Sequence, residues 1–103
     1  MILTDTHSHL YDQKFSEDQQ EVIDRAFEEN VTRIFLPNVD QHSVAGMIEL
    51  TTKYPENCFA MMGLHPCNVK EDYKEELAVL KALLDSGKFC AVGEIGMDLY
   101  SCY

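Results

Sequence analysis

Apolar positions along the chain fall into short runs, and the stretches between the runs show apolar residues at intervals of three and four. Runs rich in β-branched, aromatic and other apolar residues predict strands, whereas intervals of three and four predict helices. The predicted strands are MILTDTH (1–7), VTRIFLP (31–37), CFAMMGL (58–64) and FCAVGEIG (89–96). Since the third run is apolar almost throughout, we expect both faces of its strand to be covered.

Helices are predicted in the three intervening stretches, at residues 16–30, 43–54 and 71–86. Ser16 is a suitable N-cap for the first helix, because Gln19 follows three residues later as the partner in a capping box. Asn30 suits the end of that helix and Gly87 the end of the third, because both residue types accept the left-handed conformation. These signals mark both ends of the first helix and the end of the third.

The predicted elements alternate as β-α-β-α-β-α-β, which indicates an α/β fold. Right-handed crossover connections then place the four strands parallel in one sheet. No linker or shift in composition divides the chain, so we expect a single domain over residues 1–103. A small flavodoxin-like sheet would show the same alternation, but the loop after the first strand reads HSHLYD and lacks a glycine-rich phosphate-binding pattern.

Composition narrows the class of protein. The chain is 46% hydrophobic and 25% charged, which is typical of a folded domain, and its formal net charge is −10. Such a charge excludes a basic surface for duplex nucleic acid, so a bound cation would have to attract any phosphate substrate. The start of the chain has no secretory signal, and no run reaches the roughly 20 apolar residues of a membrane span.

The four cysteines favour a reduced protein. They show neither CxxC pairs nor the density of a disulfide scaffold. Cys58 and Cys90 lie within apolar runs, where a free thiol behaves as a small hydrophobe. We therefore expect four reduced cysteines, a cytoplasmic location and no association with membranes.

The segment TDTHSHLY, residues 4–11, carries the first candidate site. In an extended chain Asp5, His7 and His9 point to the same side, at the carboxyl end of the first strand. Two neutral imidazoles at this spacing can approach one divalent ion, while a nearby carboxylate fixes the tautomer. Asp5 could also simply terminate the strand. The two histidines could equally be a surface pair that binds no ligand.

Polar residues also follow the other strands, where the carboxyl ends of parallel strands form the functional face of α/β folds: Asn38, Asp40, His65, Glu94 and Asp98. A carboxylate such as Glu94 at the end of an apolar strand costs several kcal/mol unless it is paired or bound to a metal. Gly93 and Gly96 on either side let a ligand approach the backbone. His65, in GLHP, is a candidate contact for a substrate oxygen, although this tetrapeptide also suits a turn that leaves a strand.

Taken in order, DTHSHL, GLHP and VGEIGMDLY resemble the TatD family of metal-dependent hydrolases, from residue 5 to about residue 100. The resemblance implies an amidohydrolase-like (β/α)8 TIM barrel that hydrolyses phosphodiester bonds of DNA with divalent metal ions. It also implies that His7, His9 and Glu94 are metal ligands, that Glu94 is the catalytic carboxylate bridging two cations, and that His65 binds substrate. Asp98 is not expected to be a ligand. Histidine and carboxylate ligands suit Zn²⁺, Mn²⁺ or Fe²⁺, and carboxylate bridging also tolerates Mg²⁺.

The same resemblance predicts an incomplete barrel. A (β/α)8 barrel takes about 250 residues and eight strands, whereas this chain has 103 residues and four predicted strands. The family's remaining ligands, two histidines and a late aspartate, would lie on later strands. We therefore expect the amino-terminal half of a TIM barrel that holds part of the site, and the alternative is a non-catalytic half-barrel. Its open sheet edges predict self-association.

Overall fold

The structure is a computed structural model and describes residues 1–102, in which four strands and three helices alternate as predicted. The strands are β1 (Leu3–Asp5), β2 (Val31–Leu36), β3 (Cys58–Met62) and β4 (Ala91–Val92). The helices are α1 (Gln19–Glu28), α2 (Val44–Lys53) and α3 (Tyr73–Asp85). Short 3₁₀ turns follow β1 and β3, at Gln13–Phe15 and Pro66–Asn68. In this part of the chain, no helix is long and apolar enough to cross a membrane.

The four strands form one parallel sheet in the order β1-β2-β3-β4, which confirms the predicted α/β architecture. Because a helix returns the chain between successive strands, the carboxyl ends of all four strands meet at one edge of the sheet, here called the carboxyl edge. β1 is shorter than predicted. It ends at Asp5 because the carboxylate of Asp5 accepts the N–H of His7 at 3.0 Å and turns the chain.

The helices pack on one face of the sheet. Alternate residues of β2 and β3 point beneath them and are at most 4% exposed: Ile34, Leu36, Cys58, Ala60 and Met62. The opposite face, here called the open face, carries Phe35, Phe59 and Met61, which are only partly buried, and the two phenylalanine rings lie 5.3 Å apart. The expectation that both faces of β3 are covered is therefore not met by residues 1–102, because all three helices contribute to the same core.

Two of the three predicted helix-end signals are found in the structure. Asn30 (φ 67°) and Gly87 (φ 81°) adopt the left-handed conformation just beyond α1 and α3. Ser16 is not the N-cap of α1, because the chain first forms the 3₁₀ turn at Gln13–Phe15 and α1 begins only at Gln19. The side chain of Asp12 caps that turn, so a local polar contact displaces the start of the helix.

The expectation of four reduced cysteines is wrong. Cys67 and Cys102 form a disulfide, and only Cys58 and Cys90 are free among residues 1–102. The two bonded cysteines are 35 positions apart, but the turn after β3 and the segment after β4 are neighbours at the carboxyl edge. Cys58 is buried as expected, whereas Cys90 is exposed because it precedes the short edge strand β4.

Candidate metal centre

Three of the predicted site residues meet at the carboxyl edge. His7 and His9 follow β1, and Glu94 follows β4, 85 positions beyond His9. The Nε2 atoms of the two histidines lie 3.2 Å apart. Each also approaches Oε1 of Glu94, at 3.0 Å from His7 and 3.2 Å from His9. The three atoms form a compact triangle of potential metal ligands.

This set of donor atoms fits a divalent cation. Two imidazole nitrogens and a carboxylate oxygen direct lone pairs at one another, which is unfavourable unless a proton or a cation lies between them. Donor atoms bound to one ion at about 2.0–2.1 Å are themselves about 2.9–3.4 Å apart in octahedral or tetrahedral geometry, and the separations here are of that size. The side chain of His7 is 55% exposed, so the centre is open to solvent on that side.

Contacts between neighbouring loops place Glu94. Its N–H donates to the carbonyl of Asn38 at 3.1 Å, and the N–H of Asn38 donates to the carbonyl of Gly93 at 3.0 Å. These bonds join the ends of β2 and β4 across the end of β3, which lies between them. A Cβ on Gly63 would lie 2.7 Å from the carbonyl oxygen of Glu94, so the glycine of GLHP permits this close approach.

Asn38 and Asp40 hold the loops of the carboxyl edge and do not reach the metal centre. Asn38 is completely buried, and its Nδ2 donates to the carbonyls of Gly63 at 3.0 Å and Asp40 at 2.9 Å. Its Oδ1 accepts from the hydroxyl of Ser43 at 2.7 Å. The carboxylate of Asp40 accepts from the N–H of Ser43 at 3.1 Å and from the amide of Asn68, also at 3.1 Å. Both residues therefore act as structural cross-links.

His65 contacts the other oxygen of Glu94. Its Nε2 lies 3.0 Å from Oε2 of Glu94, and its Nδ1 accepts the N–H of Cys67 at 3.0 Å. A ring nitrogen that accepts a hydrogen bond carries no proton, so neutral His65 has its proton on Nε2 and donates it to Glu94. Both oxygens of Glu94 therefore face imidazole nitrogens, Oε1 those of His7 and His9 and Oε2 that of His65.

Tyr11, which the sequence did not single out, contacts His9 on the side away from Glu94. Its oxygen lies 2.7 Å from Nδ1 of His9, and its hydroxyl donates to the carbonyl of Pro37. Burial lowers the pKa of His9, more than the carboxylate of Glu94 raises it, which favours the neutral form that a metal ligand needs. Burial raises the pKa of Tyr11 well above its usual range, so the hydroxyl keeps its proton. The one available signal was that Tyr11 continues the two-residue spacing of His7 and His9.

Asp5 and Asp98 shape turns beside the centre. Asp5 terminates β1 through its contact with the N–H of His7, the second of the two alternatives that the sequence left open. Oδ1 of Asp98 accepts the backbone N–H groups of Ser101 at 2.7 Å and Tyr100 at 2.9 Å, and these bonds lower the pKa of its carboxyl group. Asp98 therefore stabilises the turn that leads to the disulfide at Cys102.

Comparison with known proteins finds one matching family and several similar relatives. The family described as TatD related DNase matches residues 4–103. The metal-dependent hydrolase YabD of Bacillus subtilis (strain 168) is 34% identical over 99 residues, which cover 96% of this chain and 38% of that protein. The 3′-5′ ssDNA/RNA exonuclease TatD of Erwinia tasmaniensis is 29% identical over 90 residues, which cover 87% of this chain and 35% of that protein.

A solved structure gives the same relationship for the fold. The crystal structure of YjjV, a TatD homologue from Escherichia coli K12, matches with a TM-score of 0.76 and 32% sequence identity over 96% of this chain. The match covers 39% of YjjV, so the four strands and three helices are part of a TIM barrel, as predicted. The chain spans less than two-fifths of the length of these relatives. On the family match and on 34% identity across nearly its whole length, the chain belongs to the TatD family.

Proposed function

We propose that His7, His9 and Glu94 hold a divalent metal ion and that this centre serves the hydrolysis of phosphodiester bonds in DNA or a related phosphoester. The observation that carries the proposal is the approach of three donor atoms to within 3.0–3.2 Å at the carboxyl edge. The names of the relatives support it, since YabD is called a metal-dependent hydrolase and the Erwinia protein a 3′-5′ ssDNA/RNA exonuclease.

The side chains of the centre take different roles in this proposal. His7 and His9 would supply neutral nitrogen ligands, and Glu94 would be the catalytic carboxylate, with its second oxygen available for a second ion. Zn²⁺, Mn²⁺ and Mg²⁺ are the candidate ions. A divalent ion supplies Lewis acidity, which polarises a phosphoryl oxygen and lowers the pKa of water. It also supplies the positive charge that a chain of net charge −10 needs to attract an anionic substrate.

His65 is proposed to bind substrate. Its Nε2–H faces the same edge as the histidine pair, and its side chain is 21% exposed. Because the Cys67 N–H occupies Nδ1, neutral His65 presents a hydrogen-bond donor on this side and no lone pair. That N–H donates to Oε2 of Glu94 at 3.0 Å in the metal-free chain, and it would be able to donate to a phosphate oxygen instead, without a change in its own charge, once Glu94 held a cation. His65 is therefore assigned to the substrate and not to the metal.

A second candidate function is that of a non-catalytic half-barrel that keeps one metal site. The observation that favours it is coverage, because the chain spans 38% of the length of YabD. Besides His7, His9 and His65, the one remaining histidine is His42, which is exposed before α2. The two further histidines and the late aspartate implied by the resemblance have no counterpart among residues 1–102. This candidate predicts metal binding without turnover.

Metal titration and a hydrolysis assay on the 103-residue chain test the proposal together. We expect Mn²⁺ binding in calorimetry, and we expect Glu94→Gln to weaken it at least about tenfold. The same variant should abolish Mn²⁺-dependent hydrolysis of a model phosphodiester and of single-stranded DNA. Glu49→Gln, an exposed position on α2, is the charge-matched control and should change neither. Binding without turnover would favour the second candidate, and the absence of binding would contradict the centre itself.

Self-association through the open sheet edges is a further part of the proposal. Ile2 and Leu3 at the β1 edge are 67% and 44% exposed, and Val92 and Ile95 at the β4 edge are 52% and 63% exposed. Unpaired strand edges with exposed apolar side chains pair readily with other chains. Sedimentation velocity at micromolar concentration should show dimers or larger species, and a single monomeric species would contradict this part.

Two predictions from the sequence stay predictions. One is the single domain over residues 1–103, although the shared core of all three helices supports it. The other is a cytoplasmic location. The argument from reduced cysteines no longer supports that location, because Cys67 and Cys102 are bonded.

A further inference from the structure

Tyr11 links the candidate metal centre to the end of β2. Its hydroxyl oxygen lies between Nδ1 of His9, at 2.7 Å, and the carbonyl oxygen of Pro37. Its ring packs edge-on against the imidazole of His9, with the ring centroids 5.6 Å apart and the planes at 78°. The ring of His9 is therefore held by a hydrogen bond and by an aromatic contact from the same residue.

The hydrogen bonds around Tyr11 determine where the proton of His9 lies. A backbone carbonyl only accepts, so the hydroxyl of Tyr11 must donate its single proton to Pro37. The oxygen of Tyr11 can then only accept from His9, and Nδ1 of His9 must carry a proton. In a neutral imidazole this leaves the lone pair on Nε2, where a proton on Nε2 of His7 lies between it and Oε1 of Glu94 as long as no cation is bound.

We propose that Tyr11 is a positioning residue, which fixes His9 in the Nδ1–H tautomer and aims its Nε2 lone pair at the metal centre. Partners on the distal nitrogen of a histidine ligand orient the ring and raise its basicity. This inference rests on the proposed function for its purpose, since an oriented lone pair matters only if a cation is bound. The tautomer itself is a property of the metal-free chain.

The contrast with His65 makes the inference specific. At His65 the Cys67 N–H donates to Nδ1, so the proton lies on Nε2 and points toward Glu94. At His9 the acceptor oxygen of Tyr11 places the proton on Nδ1 and the lone pair toward Glu94. The two histidines on either side of Glu94 therefore carry opposite tautomers, and His65 serves as an internal reference.

Nitrogen-15 NMR of the histidine side chains in the metal-free 103-residue chain tests the tautomers directly. We expect the Nδ1–H form at His9 and the Nε2–H form at His65. Tyr11→Phe keeps the ring and removes the hydroxyl, so His9 should shift toward the Nε2–H form while His65 stays unchanged. Tyr54→Phe is the matched control, since its hydroxyl also makes one hydrogen bond, to Gln20 at 2.7 Å, and Tyr54 lies between α2 and the start of β3, not in a loop of the carboxyl edge. An Nε2–H form at His9 in the unaltered chain would overturn the inference even if Tyr11→Phe failed to fold.

Mn²⁺ titration of the same proteins separates this inference from the proposed function. We expect Tyr11→Phe to weaken Mn²⁺ binding about 10- to 100-fold, and Tyr54→Phe to leave it unchanged. Equal affinity in Tyr11→Phe and the unaltered chain would overturn the positioning role. Failure of the unaltered chain to bind Mn²⁺, with the His9 tautomer as described, would instead overturn the proposed function.

Discussion

The carboxyl edge and the open face of the same sheet differ in how completely their side chains find partners. At the carboxyl edge, Glu94 meets His7, His9 and His65, and Asn38 is buried within its own hydrogen bonds. Among residues 1–102, every buried side-chain nitrogen or oxygen has a partner. On the open face the aromatic and sulfur-bearing side chains are only partly covered, and the edge strands expose apolar residues.

This difference indicates that the candidate site can form without a closed barrel. The contacts that place Glu94 run between the loops after β2, β3 and β4, and none of them needs a further strand. Covering the open face does require more protein, because the three helices pack on the other side. We therefore expect the metal-binding geometry to survive in this chain, and we expect stability and turnover to depend on what covers the open face.

The largest expected effect compares neighbouring residues of β2 that point to opposite faces. Leu36 is fully buried in the core, so Leu36→Ala should lower the free energy of unfolding by about 3–4 kcal/mol. Phe35 is only partly buried, and Phe35→Ala should cost about 1–2 kcal/mol despite the larger side chain. Urea unfolding of both variants measures the difference. Equal losses would mean that the open face is covered in solution, as self-association predicts.

A smaller loss of stability, together with weaker metal binding, is expected from a substitution at the carboxyl edge. An added Cβ on Gly63 would lie 2.7 Å from backbone atoms of Gly93 and Glu94, so Gly63→Ala should cost about 2–3 kcal/mol and weaken Mn²⁺ binding. Gly46→Ala is the matched control on α2, where the added Cβ would meet its nearest neighbour at 3.6 Å. The control should stabilise the chain by up to about 1 kcal/mol. Unchanged metal binding in Gly63→Ala would show that the close approach of Gly63 to Gly93 and Glu94 does not determine the position of the Glu94 side chain.

The order of elements and the residues that meet in the candidate metal centre could be predicted because both follow from local patterns. Alternating apolar runs and helical periodicity fixed four parallel strands, and glycine or asparagine marked two helix ends. Glu94 was identifiable because a carboxylate at the end of an apolar strand needs a partner. The predicted start of α1 at Ser16 was wrong, because Asp12 caps a 3₁₀ turn just before Ser16.

Other features could not be predicted because they depend on which loops become neighbours. Tyr11 reaches Pro37 only after β1 and β2 have paired, and Cys67 meets Cys102 only beside the ends of β3 and β4. The sequence shows Asn38 as a polar residue after a strand, but its burial and its bond to Gly63 arise from the packed loops. Such contacts between distant positions leave no periodic signal in a single chain.

The least perturbing test counts the free thiols of the chain and checks the disulfide at its carboxyl edge. The exposed thiol of Cys90, before β4, should react with a thiol reagent at pH 8 in the folded chain. Cys58 lies in the core, where burial raises its pKa to about 11, so little thiolate forms at pH 8 and labelling should be slow. Because the neutral thiol is favoured in the folded state, this site should lose stability as the pH rises from about 8.5 toward 11.

The number of labels per chain, counted by mass spectrometry, shows whether Cys67 and Cys102 are bonded. We expect one fast label in the folded chain, two labels after unfolding without reductant, and four after reduction, since Cys67 and Cys102 are bonded. Cys90→Ser should remove the fast label and leave the other counts lower by one. Four labels without reductant would show that the segment after β4 is not tied to the turn that carries His65. Glu94 would then depend on its backbone bonds with Asn38 and on the glycine at position 63 for its placement.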